Sequence, residues 1–399
     1  MSYSSIDSAR RTLLTEPLQA VSALIMAVMT LAMLNQLSVW FAPLVFIASV
    51  GGMVAVIRAR IKAEKQRKLG DQTVDYQKLA AIDTAPLAPW VKENLRGHDT
   101  IVDSIFQNLH KSMQLSRPGR TLGNFLLVGP TGTGKTFLSQ LVAQGLYPKS
   151  EVVLLTMNQY KQPGDVFTLI GPPPGMPGYE VGGRLTRPVL DNPYRVIIFD
   201  ELEKAHHDLQ DCLYDILDTG SCREKSSGRL VDFSACVIFG TCNAGVEKMR
   251  ALATEVGSTT SSSWLGRSRD ALADDAKFDR AFLSRWDGIY LMDQLPPIHV
   301  AEVACLQLCR HWKEYGIEVD YADPELILDA VQRNQDFAEY GVRQLGRFIR
   351  ERTEMAILDA KRSGSKKVKL LVGGPNGDLQ VEVPRAGGSA GDPRVEVPR

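Results

Sequence analysis

An apolar run that breaks into a glycine-rich turn and then resumes as a helical pattern limits this chain more than any other feature. It reads NFLLVGPTGTGKTFLSQLVAQGL, residues 124–146. Residues 125–128 have the composition of a short buried strand, and Leu138, Leu141 and Val142 recur at helical spacing. Between them lies Gly129-x-x-x-x-Gly134-Lys135-Thr136, in the strand–loop–helix setting that distinguishes a phosphate-binding P-loop from a chance match. Glycines let successive backbone N–H groups curl round phosphate oxygens. The loop Gly129, Pro130, Thr131, Gly132, Thr133, Gly134, Lys135 and Thr136 is therefore a candidate ATP site. Lys135 would reach the β- and γ-phosphates, and Thr136 would offer its hydroxyl to Mg²⁺.

Two further apolar runs end in polar residues. RVIIFDELEKAH (195–206) closes on Asp200 and Glu201. An acid at a strand's end beside a P-loop can hold Mg²⁺ through water, and a second acid next to it can polarise the attacking water. Without the P-loop, the same pair would read as two solvated acids. CVIFGTCNAG (236–245) closes on Asn243, whose carboxamide suits orienting that water. Cys242 in the same stretch invites a nucleophile reading, but no histidine is set by sequence to activate it. His206 and His207, with Glu203 and Asp208, could suggest a metal, but on the helix after the strand ending at Asp200 they read as a solvated polar face.

Ahead of this lies a run without Asp, Glu, Lys or Arg, from Pro17 to Ile57. As one helix it would be about twice as long as a bilayer's hydrocarbon core is thick. Divided at Asn35 and Gln36 it gives Leu18–Leu34 and Leu37–Ile57, about 26 Å and 31 Å long, each near one spanning length. Residues 17–57 therefore read as two transmembrane helices with a polar turn. A cleaved signal peptide would need a small-residue cleavage site and would not be followed at once by a second span. A buried core hairpin seldom needs so much uninterrupted apolar sequence. Arg58, Arg60, Lys62, Lys65, Arg67 and Lys68 follow the second span, and Arg10 and Arg11 precede the first. The positive-inside rule puts both ends in the cytosol. Residues 1–16 are then a cytosolic tail and 58–94 a basic juxtamembrane linker. The expected location is a bacterial inner membrane, with the ATPase domain in the cytoplasm.

The ordered segments LRGHDTIV, GPTGTGKT, GPPPGMPGYEVGGRLT, VIIFDELEKAH, GRLVDF, GTCNAG, FLSRWDGI and GVRQLGRFI carry a resemblance. From about Leu95 to Val383 the chain resembles the Clp-type AAA+ unfoldases, closest to their second ATPase module. The resemblance implies an α/β P-loop fold with a parallel sheet over 95–295 and a small helical lid domain with a β-hairpin over 296–385. It implies a Mg-dependent ATP hydrolase with Glu201 and Asn243 at the water. It also implies Arg285 as an arginine finger acting on a neighbour's site, and Arg343 as a sensor on the lid touching ATP of its own subunit. A finger acting in trans needs a closed ring, and the resemblance implies a homo-hexamer working on protein substrates.

The first central-pore loop would lie between Gly171 and Gly183. Where relatives place an aromatic residue, this chain has Met176 followed by Pro177, with Tyr179 nearby. Methionine is apolar and adaptable, so gripping and remodelling without full threading are both compatible. GSCREKSSGRL (220–230), with Arg223 and Lys225, resembles the second pore loop. The alternative for both loops is an ordinary solvated turn. Arg267 takes the third place of the peptidase-docking tripeptide, which is usually hydrophobic, and this argues against a separate peptidase ring. The expected activity is a membrane-anchored, ATP-driven protein-remodelling ring. The alternative is an energising or assembly ATPase of a membrane secretion apparatus acting on one fixed partner.

Composition adds exclusions. The formal net charge is zero, with no basic excess to suggest a nucleic-acid partner. The six cysteines form no CxxC pair and read as free thiols. Residues 366–384 alternate and turn at Pro375-Asn376-Gly377, predicting the hairpin. The Ser/Thr run 258–263 reads as a mobile loop, and the Gly/Pro-rich residues 386–399 read as a disordered tail.

Overall fold

Strands and helices alternate along the chain, as the sequence periodicity requires. The computed structural model describes residues 74–275, 278–336, 342–373 and 378–382. The chain divides into units of residues 1–71 and 72–399, and the described residues belong to the second. In chain order its main elements are α1 (Leu87–Asn94), α2 (Asp99–Gln114), β1 (Gly123–Val128), α3 (Lys135–Leu146), β2 (Val153–Thr156), β3 (Val196–Asp200), α4 (His207–Thr219), β4 (Ser221–Arg223), β5 (Leu230–Asp232), β6 (Val237–Cys242), α5 (Val246–Val256), α6 (Ser262–Asp275), β7 (Gly288–Leu291), α7 (Pro297–Glu314), β8 (Glu318–Ala322), α8 (Pro324–Asp336), α9 (Val342–Arg362), β9 (Lys367–Gly373) and β10 (Asp378–Glu382).

β1, β2, β3, β6 and β7 pair in parallel in the order β2-β3-β6-β1-β7. Both faces of this sheet are covered, which is why its strands read as unbroken apolar runs. Successive side chains alternate between two cores. Phe125 and Leu127 join Ile198 and Phe239 on the face covered by α2 and α3. Leu126 and Val128 join Ile197, Phe199 and Ile238 on the face covered by α4, α5 and α6. α2 packs through Ile101, Val102, Ile105, Phe106, Leu109 and Met113, one apolar face of an amphipathic helix. Register sets the site: Val128 lies opposite Cys242 and Thr156 opposite Asp200, so strand ends of unrelated sequence finish side by side.

The lid has its own core, in which Leu308 and Trp312 of α7 meet Leu345 and Ile349 of α9 and Val368 and Leu370 of β9. β9 and β10 pair antiparallel, and β8 extends them to a three-stranded sheet, a strand that sequence periodicity did not resolve. The hairpin turn at 375–377 and the tail 386–399 lie outside the described residues.

Residues 74–94, read from sequence as the end of a linker, are part of the folded core. Leu79 and Val91 are fully buried, and Tyr76 Oη and Ser234 Oγ share a 2.8 Å hydrogen bond. Their apolar positions are too few to announce a core element without the surface they cover. Ser262 and Ser263, from the run read as a loop, begin α6, whose Trp264 donates from Nε1 to Ile289 O at 2.7 Å. The proposed membrane helices of 17–57 lie outside the described residues. Among the described residues, no helix is long and apolar enough to cross a membrane.

Candidate functional site

The P-loop follows from the close packing of β1 against its neighbours. Gly129 N donates to Cys242 O at 3.0 Å, and a Cβ at position 129 would lie 2.0 Å from Met292 O. No side chain fits there. Gly132 and Gly134 have φ of 83° and 96°, in the left-handed region that glycine enters without steric cost. α3 starts at Lys135, so its free N–H groups and positive dipole end face the loop, an arrangement suited to phosphate. Lys135 Nζ donates to Gly129 O at 2.7 Å and Pro130 O at 2.6 Å, which holds its ammonium over the loop. Thr133 Oγ1 donates to Pro130 O at 3.1 Å.

Beside the loop, Asp200 Oδ1 accepts from Thr136 Oγ1 at 2.8 Å and from Thr241 Oγ1 at 2.7 Å. Thr241 Oγ1 in turn accepts from Glu201 N at 2.9 Å. This chain of bonds turns the backbone sharply after β3. Glu201 has φ of 58°, the only positive value at a non-glycine among the described residues. Such a conformation persists where its surroundings hold it, and it marks functional sites. Glu201 Oε2 accepts from Lys204 Nζ at 2.9 Å and from Asn158 Nδ2 at 3.5 Å. The bond to Glu201 raises the Lys204 pKa. Asn243 lines the same cavity as Glu201, and its Nδ2 donates to Glu203 Oε1 at 3.2 Å.

The cavity, about 420 Å³, is where these groups converge. Thr131 to Phe137, Asp200, Glu201 and Asn243 form one wall; Leu295 with Leu306, Gln307 and Arg310 of the lid helix α7 forms another. Asn94, Leu95 and Arg96 complete it. Sequence reasoning did not single out Thr241, Asn94, Gln307 or Arg310. Arg310 donates to Asn94 Oδ1 at 2.7 Å and stacks over the Phe137 ring, so the lid is joined to the large domain across the cavity mouth. His98 is another such residue. It is buried with Nε2 3.1 Å from Thr133 O, and burial lowers its pKa to about 4. The imidazole is therefore neutral at ordinary pH and donates to the P-loop carbonyl.

The other candidates lie elsewhere. Arg285 is outside the cavity lining. Its guanidinium stacks 3.6 Å over the Tyr214 ring, and Nη1 donates to Ala281 O at 2.7 Å. Nε is 3.6 Å from Asp218. Arg343 is the second residue of α9; its side chain lies outside those described. Met176 and Tyr179 are exposed on a loop of glycine turns, together with Val181 at 75% exposure, which sequence reading passed over. Pro177 sits between them. The nucleophile reading of Cys242 does not hold, because the residue is fully buried and burial pushes its thiol pKa far up. All six cysteines are free thiols. His206, His207 and Asp208 come together at the start of α4. There His206 Nδ1 already accepts from Asp208 N at 3.3 Å, and the helix dipole disfavours a cation. Leu265-Gly266-Arg267 lies inside α6, with Arg267 paired to Glu255.

The family model described as the AAA domain (Cdc48 subfamily) matches residues 120–289. The ATP-dependent Clp protease ATP-binding subunit ClpE of Lactococcus lactis is 34% identical over 281 residues, 68% of this chain and 36% of that protein. The chaperone protein ClpB of Nitratidesulfovibrio vulgaris is 34% identical over 275 residues, 67% of this chain and 31% of that protein. The chloroplastic chaperone protein ClpB2 of rice is 32% identical over 302 residues, 73% of this chain and 30% of that protein. The chain thus spans about a third of the length of these curated relatives. Strand order, P-loop, the acids after β3 and this similarity converge: the folded core is a Clp-type AAA+ ATPase domain.

Proposed function

We propose that this protein hydrolyses Mg-ATP at the P-loop cavity and uses the cycle, as a homo-hexameric ring, to remodel protein substrates. The observation that carries the reading is the meeting of Lys135, Thr136, Asp200 and Glu201 in one cavity walled by a lid helix. The donor set suits the cation: the Thr136 hydroxyl is a hard oxygen ligand, Asp200 would hold the metal's water, and Mg²⁺ takes its remaining ligands from water and phosphate. When bound, magnesium offsets charge on the phosphates. Lys135 and the loop N–H groups bind the triphosphate, and Thr136 and Asp200 hold the metal side. Glu201 takes a proton from the attacking water, and Asn243 steadies that water's approach. Arg285 of a neighbouring subunit stabilises charge on the transferred group, and Arg343 links the lid to nucleotide state.

Protein substrates are supported by the names of the relatives, two of which are chaperones and one the ATP-binding subunit of a protease. Exposed Met176, Tyr179 and Val181 supply an apolar, sequence-tolerant grip. Docking to a peptidase ring is not part of this reading, because Leu265-Gly266-Arg267 is helical and Arg267 is engaged. Membrane attachment by 17–57 rests on the length and lack of charge of that run.

The test is a Glu201→Gln variant expressed full-length, crosslinked in membranes in the presence of ATP. Many crosslinked proteins are expected. A single fixed partner would replace this reading with that of a dedicated assembly ATPase. Release of the protein by carbonate washing would refute the anchor.

A further inference from the structure

Outside the ATP cavity, the least expected buried group is Glu224, which is 1% exposed although its neighbours Arg223 and Lys225 are both exposed. A buried carboxyl group is costly unless its oxygens are hydrogen-bonded. Those of Glu224 are bonded to two different loops. Oε1 accepts from Gly183 N at 3.2 Å and from Thr186 Oγ1 at 3.0 Å, both at the base of the 171–183 loop. Oε2 accepts from Ser227 Oγ of its own 220–230 loop. The neighbouring backbone adds a second tie, Lys225 N to Ile170 O at 2.8 Å. Glycines make the approach feasible. A Cβ at Gly182 would lie 2.8 Å from Glu224 Oε1, and one at Gly171 would lie 2.5 Å from Ser226 Oγ. At the tip the situation reverses: nothing lies within 4 Å of a Cβ placed at Gly175 or Gly178.

We propose that Glu224 is a positioning residue that fastens the two loops into one body. The exposed Met176, Tyr179 and Val181 then move together with Arg223 and Lys225 of the second loop. The functional weight of this coupling rests on reading both loops as gripping elements; the coupling itself does not.

Amide hydrogen exchange on the full-length protein tests it without any substrate. Glu224→Ala should speed exchange in both 171–183 and 224–230 by about tenfold or more, with β1 unchanged, since local opening follows lost local bonds. Glu224→Gln keeps the Oε1 acceptor and should restore protection of 171–183. Loosening of 224–230 alone in Glu224→Ala would overturn the proposal. If Glu224→Ala does not fold, two milder variants decide. Thr186→Val should loosen 224–230, and Ser227→Ala should loosen 171–183, each acting across the junction. Effects confined to the mutated loop would overturn the coupling. Preserved cross-effects in a protein that processes no substrate would sink the remodelling reading and leave the coupling standing.

Discussion

Thr136 and Asp200, 64 positions apart, are joined by a 2.8 Å hydrogen bond between Oγ1 and Oδ1. The bond ties the first turn of α3 to the end of β3 at the place where the hydroxyl would meet a magnesium ion and the carboxylate would hold that ion's water. Thr241 bonds the same oxygen from β6, so three separate elements fix one carboxylate. Thr136→Ala removes one of these ties. A hydrogen bond to a charged group contributes about 1.5–3 kcal/mol, which corresponds to a loss of roughly 10- to 150-fold. Half-saturating magnesium should rise by about that factor in a magnesium titration of ATP hydrolysis. An unchanged titration would remove Thr136 from the metal site.

Glu201 is held in a left-handed turn by its own N–H bond to Thr241, and its carboxylate is steadied by Lys204 and Asn158. Glu201→Gln keeps the size and the backbone bond but removes the base. Turnover should fall by about 10²- to 10⁴-fold, the usual range for losing a general base. Binding of a fluorescent ATP analogue should change less than about threefold, within one hydrogen bond's worth of free energy. Near-normal turnover would mean the base lies elsewhere, with Glu203 the next acid to test.

Three of the five sheet strands, β1, β3 and β6, the P-loop and both acids were legible in the sequence because each is a local signal, whereas the short edge strands β2 and β7 were not. An apolar run ending in a polar residue needs no partner to be seen. What escaped was set by register and by packing between distant segments. Thr241 lies within the 236–245 stretch, two residues before Asn243, but its bond to Asp200 exists only because β3 and β6 are neighbours. Arg310 and Asn94 are 216 positions apart, and neither has a motif. Helix α1 looked like linker because it is short and only Val91 is fully buried, with Leu87, Ala88 and Trp90 packed partly buried beside it. The placement of Arg285 on Tyr214 was equally out of reach, because stacking leaves no trace in spacing.

His98 provides a pH dependence. Its imidazole is kept neutral mainly by burial, with a pKa of about 4 when folded against an ordinary histidine value of 6.5. Between those values the unfolded chain binds the extra proton. The stability tied to the neutral ring is therefore complete above about pH 6.5 and is lost as pH falls toward 4, by at most about 3 kcal/mol. Glutamine at position 98 can donate to Thr133 O but does not titrate. Urea unfolding followed by tryptophan fluorescence should show a shallower decline for His98→Gln than for the natural protein between pH 6.5 and 4. Parallel curves would mean that His98 is already solvated, or charged, in the folded state.

Arg285 offers the sharpest test of assembly, because it lies outside the cavity lining of its own chain. Its stacking on Tyr214 and its proximity to Asp218 hold it at the surface of α4. If it completes a neighbour's site, Arg285→Ala should lower ATP hydrolysis by about 10³-fold or more, the scale of an arginine finger. ATP binding should be retained. Glu201→Gln should be similarly inactive alone. Mixed and reassembled, the two variants should regain a measurable fraction of activity. Wherever a Glu201→Gln subunit presents its intact Arg285 to an Arg285→Ala subunit with intact Glu201, one complete site exists. A finger acting within its own chain gives no such site in any mixture, because every subunit then carries one defect. Recovery in the mixed ring, measured as phosphate release against subunit ratio, should peak at intermediate ratios and vanish at both ends. A flat line at the level of the separate variants would exclude catalysis between subunits.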